Sequence, residues 1–336
     1  MPNWLQSPED IQSFMGLIET YLQADLKNAP SRGYTTWHPS AFGKCLRKMM
    51  YQRYSDMGLI ETPEQKVKSN MIRLWALGHD VQARWERYFT DLGILRGVWQ
   101  CKSAHCRLFD DNGIYTGESG ISIEKAPGKA RRYGDDEIQG VFKPEKCICG
   151  NREFKYHEVA VRDKEMNLVG HADMVLDFSR LDESKLDGVK KLFNRDFLPT
   201  DVVVVDLKTC NQNSFRNKVM KKGPDFGYQV QLTIYANLLD CSYGILIYEC
   251  KNDSLVKAFH IPRNADTWFK EIRRQALAMN VMVEKKKLPP PRPCSKKNYE
   301  CDYCEYSGRC FASDIWGSEE LGQIRRSFYG KLLMED

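Results

Sequence analysis

Residues 202–209 read VVVVDLKT. Four successive β-branched residues predict a strand buried on both faces. Side chains two apart on a strand project to the same side, so Asp206 and Lys208 leave its end together. Just upstream, in GHADMVLDF, Asp173 sits in a second apolar stretch. If these strands are neighbours, two carboxylates and an ammonium converge beside the Leu207 carbonyl. Carboxylate and carbonyl oxygens suit a hard divalent cation, Mg²⁺ or Mn²⁺. Such an ion lowers the pKa of a bound water, and a lysine can orient or polarise that water. The chemistry is metal-assisted hydrolysis. The plain alternative is a buried Asp–Lys ion pair at a strand edge, because isolated buried charges are costly.

Further residues accompany this set. Gly170 stands three before Asp173, where a tight approach would need it. In YQVQLTIYANLL, Gln231 and Tyr235 are four apart and share one helical face. Glu158, in HEVAV, lies on the strand preceding Asp173; a surface strand glutamate is the alternative for it.

The chain has 12 cysteines and no secretory leader is evident in MPNWLQSPEDIQSF, so clustered cysteines point to metal ligation rather than disulfides. Cys301, Cys304 and Cys310 form C-x2-C-x5-C, one thiolate short of a four-ligand set. Cys294 would complete a zinc site locally; otherwise the missing ligand must come from elsewhere in the chain. A second group, Cys101-x4-Cys106 and Cys147-x-Cys149, has the form of two zinc-ribbon knuckles, with His105 and His157 as possible substitutes. Cys210, Cys241 and Cys250 fall in expected core elements and read as small apolar fillers.

The 336 residues carry a net charge of +5, mildly basic and compatible with nucleic acid. Basic residues group at Arg47, Lys48 and Arg53, at Lys129, Arg131 and Arg132, and at Arg216, Lys218, Lys221 and Lys222. The last group follows the valine strand and is the expected phosphate-binding surface. There is no phosphate-loop motif, so no nucleotide cofactor is expected, and no apolar run long enough to span a membrane. A cytoplasmic location is expected, or the host cytoplasm for a phage-encoded protein.

Helices are expected over 8–26, 39–55, 64–92, 225–239 and 265–287. Strands are expected over 153–162, 168–178, 202–209, 243–250 and 255–260, with 181–200 a charged connection. The order predicts an α/β fold with a mixed central sheet flanked by helices. It divides into an N-terminal helical part (1–98), an inserted zinc-ribbon-like module (99–152), a core (153–287) and a cysteine-bearing tail (288–336).

The ordered set G-x-x-D, D-x-K-T and Q-x-x-x-Y resembles the PD-(D/E)XK nuclease superfamily, in particular its RecB-like branch. The resemblance covers roughly residues 155–240. It implies a restriction-endonuclease-like core, with Asp173, Asp206 and Leu207 holding Mg²⁺ or Mn²⁺ and Lys208 catalytic. Gln231 and Tyr235 would support the site, and Glu158 matches an acidic position. An upstream histidine often joins this site; His79, in LGHDVQARWERYF, is the expected ligand, with Glu86 second, although the family spacing falls on Gln82. One upstream cysteine plus a C-terminal triple is similar to the iron–sulfur nucleases of this branch: the CRISPR-adaptation exonucleases, AddB and Dna2-type domains. That likeness implies a structural [4Fe–4S] cluster on Cys45, Cys301, Cys304 and Cys310. The expected activity is an exonuclease on DNA ends or single strands, working with a recombination, helicase or single-strand-binding partner. A sequence- or structure-specific endonuclease and a non-catalytic DNA-binding or assembly protein are the competing readings.

Overall fold

The computed structural model describes residues 16–24, 35–61, 69–109, 115, 130–193, 201–287, 301 and 304–311. The valine run forms β8 (Val202–Cys210) in the middle of a mixed sheet. On one side it runs parallel to β9 (Tyr243–Cys250), whose residues are all buried, from Val203↔Tyr243 to Cys210↔Cys250. Parallel neighbours need a crossover. It is supplied by a helical stretch, α5, running through Gln212–Ser214, Phe215–Val219 and Met220–Lys222, and then by α6 (Phe226–Leu238). The Asp225 carboxylate caps α6 by accepting from the Gly227 and Tyr228 amides. β10 (Val256–Pro262) returns antiparallel along the far edge of β9.

On its other side β8 is antiparallel to β7 (Met174–Asp177), and β7 is antiparallel to β1 (Leu95–Cys101). β1 also pairs with three short strands, β2 (Arg132–Tyr133), β3 (Val141–Phe142) and β4 (Phe154–His157). Among the described residues this gives the order β10-β9-β8-β7-β1-β2, with β3 and β4 also on β1. The described strands of the expected insert are thus continuous with the main sheet.

Period two sorts β8 between two layers. Val203, Val205 and Leu207 pack with Val81, Trp85 and Phe89 of α3 (Ser69–Asp91). Val204, one residue out of phase, packs with Leu232, Tyr235 and Ala236 of α6. Buried Glu249 fastens α3 to the end of β9, accepting from Arg84 and, at 2.7 Å, from Trp85 Nε1. A third apolar cluster joins α2 (Leu46–Asp56) to α7 (Lys270–Glu284) around Met50, Ile234 and Met279.

Three expectations about elements are corrected. The 153–162 strand breaks at Glu158 into β4 and β5 (Val159–Asp163). The 168–178 strand breaks at Asp173 into β6 (Leu168–Ala172) and β7. At these breaks β5 and β6 leave the main sheet as a separate hairpin, which Trp37 secures through backbone bonds to Asn167 and Val169. Third, the charged connection contains a helix, α4 (Glu183–Phe193), started by Asp182, whose carboxylate accepts from the Lys185 amide. The N-terminal helix, α1, is present over 16–24; the rest of its expected span lies outside the described residues.

Candidate active site

The two strand breaks place acids where the sheet opens. Asp173 stands just before the Met174↔Val205 pair, and its Oδ2 accepts from the Leu207 amide at 3.2 Å. That bond sets it beside Asp206, which is fully buried. Lys208 Nζ lies 2.6 Å from Asp206 Oδ2, and the ammonium sits over the Tyr228 ring at 4.9 Å. From α6, Gln231 Nε2 donates to Asp206 Oδ1 at 3.0 Å and meets the Tyr235 hydroxyl at 3.4 Å. Tyr156 donates to the Asp173 carbonyl oxygen at 2.9 Å. Gly170 belongs to the same construction: a Cβ there would stand 2.8 Å from the Pro39 ring and 3.4 Å from that of Tyr235.

The electrostatics are those of crowded acids. Burial, reinforced by Asp206, raises the Asp173 carboxyl to about 7, against the pull of Lys208. Burial also raises Asp206, with Lys208 opposing it. Burial works against the Lys208 ammonium, yet Asp206 and Asp173 outweigh it and hold the pKa above its ordinary range. Asp206 Oδ2 is buried and has no hydrogen bond of normal geometry, only the ammonium beside it. Two repelling carboxylates with an under-bonded buried oxygen fit a hard cation, which would relieve what one lysine relieves in part.

Glu158 extends the cluster. Gln82 Nε2 on α3 donates to it at 3.1 Å and to Glu86 at 3.0 Å. Burial, with Glu158 adding to it, raises Glu86 to about 7. The residue facing Glu158 is therefore Gln82, where the family spacing falls, and the expected ligand His79 lines the adjacent cleft one turn earlier on α3. Tyr156 and Tyr228 were not singled out from sequence, and Gln82 only as the position where the family spacing falls, with no role given to it. Gln82 had a usable signal, its four-residue spacing from Glu86.

The cysteines form two groups. The sulfurs of Cys101, Cys106, Cys147 and Cys149 lie within 4.8 Å of one another, close enough to hold a metal or cluster. Tyr133 donates to Cys147 Sγ at 3.3 Å and Asn151 Nδ2 to Cys101 Sγ at 3.3 Å. Although burial opposes it, the Tyr133 bond and the other donors bring Cys147 down to about 7. Donors aimed at sulfur suit thiolate ligands. Neither histidine substitute belongs here: His157 bonds Gln100 at 2.9 Å, and His105 sits among Phe109 and Tyr115.

In the second group, the C-terminal segment meets α2. Tyr306 stacks on Tyr51 at 5.3 Å, and Lys48 pairs with Glu305 at 2.8 Å. Burial raises Cys45 to about 11, and Cys310 and Cys304 are near enough to push it further. Cys310 is raised by burial and by Cys301 and Cys304. Cys45 thus lies near Cys304 and Cys310, and Cys310 near Cys301 and Cys304, but among the described residues only the Cys101 group brings its sulfurs within 4.8 Å of one another. Cys294 lies outside the described residues. Cys241 and Cys250 are buried fillers, and Cys210 is half-buried.

Of the basic groups, Arg47 is buried beside Cys310, Lys48 is paired and Arg53 stacks on Trp37 at 4.5 Å. Arg47 thus packs inside, while Lys48 and Arg53 are half-buried and engaged with neighbouring side chains. Arg216, Lys218, Lys221 and Lys222 are exposed on α5, whose Phe215 and Val219 face the core. Lys129 lies outside the described residues. Among the described residues no helix is long and apolar enough to cross a membrane.

No protein-family model matches the sequence, and no curated protein matches it. A matching solved structure is titled "Crystal structure of SSO0001". It is 15% identical, with 90% of this chain and 96% of that one covered, and a TM-score of 0.39. That likeness is too slight to argue from. What the structure itself establishes is a mixed α/β protein with a central mixed sheet flanked by helices and a four-cysteine centre able to hold a metal or cluster.

Proposed function

We propose that this protein is a metal-dependent deoxyribonuclease with a restriction-endonuclease-like core of the RecB type, acting as an exonuclease on DNA ends or single strands. The observation that carries the reading is the meeting of Asp173, Asp206 and Lys208 at a break in the sheet, braced by Gln231. Asp173, Asp206 and the Leu207 carbonyl would hold Mg²⁺ or Mn²⁺, which supplies an activated water and neutralises phosphate charge. Lys208, fixed by Asp206 and Tyr228, stays cationic and stabilises charge developing on the phosphate. Gln231 orients Asp206, and Tyr156 holds the Asp173 backbone. The likeness to iron–sulfur nucleases supports a [4Fe–4S] cluster on Cys45, Cys301, Cys304 and Cys310, in a structural role because hydrolysis needs no redox step. The tight spacing of Cys101, Cys106, Cys147 and Cys149 supports Zn²⁺ in a ribbon-like module.

The test is digestion of end-labelled linear DNA and closed circular DNA with Mg²⁺ or Mn²⁺, using protein purified anaerobically. Mononucleotides from linear DNA and intact circles are expected. Discrete fragments from the circle would favour the endonuclease. No cutting, or cutting unaffected by Asp206→Asn and Lys208→Ala, removes the enzymatic reading and leaves a binding or assembly protein. Metal analysis of the same sample is expected to give iron and zinc.

A further inference from the structure

The four-cysteine centre and the acid cluster share a small piece of sheet. At its far end β1 is flanked by β2 and β4, with Gln100 opposite both Arg132 and Lys155, and Val98 opposite His157. Opposed residues on neighbouring strands share a face. Val98, Gln100, Arg132, Lys155 and His157 therefore lie on one side, while Trp99, Cys101, Tyr133, Tyr156 and Phe154 lie on the other. The second side carries the cysteine centre: Cys101 is a member, and Tyr133 bonds Cys147. The first side lines a cleft of about 640 Å³ that runs past Glu158 and His79 and also takes in Arg162 and His171. The exposed cations Arg132, Lys155 and Arg162 therefore share the cleft with half-buried Glu158 and Glu86 and with exposed Asp135 and Glu137.

Backbone bonds from Cys101 and its neighbour Lys102 reach the strands that carry two of these cations. The Cys101 amide donates to the Arg131 carbonyl at 3.0 Å, one residue before Arg132. The Lys102 amide donates to the Glu153 carbonyl at 3.0 Å, two residues before Lys155. Strands as short as the two residues of β2 and the four of β4 hold poorly unaided. Asp135 pairs with Arg132 at 3.1 Å, but both are well exposed, so an incoming phosphate can displace the contact.

We infer that this cleft is the track for the sugar–phosphate backbone of DNA, with Arg132, Lys155 and Arg162 as phosphate contacts, and that the four-cysteine centre is the clasp that sets Arg132 and Lys155. Such contacts hold and register the substrate without reading sequence. The cleft leads to Glu158 and so delivers a backbone to the acids. The inference takes its ligand from the nuclease reading, but its test reads binding separately from cleavage.

Fluorescence anisotropy with a labelled single-stranded oligonucleotide and its duplex measures binding by the full chain in an Asp206→Asn background. Arg132→Glu with Lys155→Glu is expected to weaken binding by about tenfold or more and to flatten the salt dependence by about two counterions. Lys257→Glu, on β10 at the opposite end of the sheet, is the control and is expected to change nothing. Equal affinity for parent and double variant overturns the cleft alone, whereas a parent that binds no DNA overturns the nuclease reading with it. In the active chain the double variant should raise KM about tenfold with kcat within about twofold; a fall in kcat at constant KM would overturn the role assigned. Cys149→Ser should weaken binding likewise while the far-UV spectrum holds, and undiminished affinity in a variant that has lost its metal removes the clasp.

Discussion

Asp173 and Glu86 carry the most consequential charges in the metal-free protein. Each has its carboxyl raised to about 7, Asp173 from 3.8 and Glu86 from 4.5. Between those limits the folded chain holds more protons than the unfolded one, so stability falls as pH rises from about 4 to about 7 and is flat above. Metal-free protein should melt a few degrees lower at pH 8 than at pH 5, and a rise over that range by calorimetry would contradict the assignment. Because a metal needs deprotonated carboxylates, Mg²⁺ or Mn²⁺ should raise the melting point more at pH 8 than at pH 5. Gln231 offers a second test. Its replacement by Ala takes a buried hydrogen bond from a charged group and should cost about 2 kcal/mol in urea unfolding. Activity should fall with it, since Asp206 loses its orientation. Asp206, Lys208 and Gln231 were legible in sequence because strand and helix periodicities fix which side chains travel together. The contact of Gln82 with Glu158 was not, because a helix-surface glutamine has many possible partners and only the tertiary fold selects this one.

The strand β1 is the element on which the rest of the site leans. Gly97 lies so close to Tyr156 that a Cβ there would stand 2.1 Å from its ring, and Gly140 approaches the Gly97 backbone on the other side. Gly97→Ala must displace the Tyr156 ring that braces Asp173, at a cost of about 1–3 kcal/mol by denaturant unfolding together with lost activity. A neutral result would mean the strand gives way without disturbing the acids. The strands β8, β9 and β10 were readable as apolar runs, whereas β1 was not expected as a strand and straddles the expected boundary at 98/99. The breaks at Glu158 and Asp173 were not, since each continues an apolar pattern that the sheet interrupts only because the hairpin turns toward Trp37. For the same reason Arg132 and Lys155 looked unrelated; pairing with β1 alone makes them neighbours.

At the scale of the molecule, the segment 304–311 meets α2. Tyr51–Tyr306, Lys48–Glu305 and the approach of Cys304 and Cys310 to Cys45 join elements more than 250 residues apart. Cys45→Ser should release the C-terminal segment, seen as early trypsin cleavage after Arg309, while the sheet core stays protected; an unchanged digestion pattern would show that the two aromatic rings suffice. The α/β class was legible in the order of elements, whereas this closure followed only from the resemblance. The charges that end the valine run have a further consequence. Before α3 and α6 cover it, β8 offers four valines in a row, and β9 follows with GILIY. Uncharged β-branched segments of this kind stack between chains when exposed during folding. Asp206 and Lys208 interrupt the first one, so residues that cost stability in the finished sheet also protect the nascent chain, and a variant such as Asp206→Val would be recovered largely as aggregate.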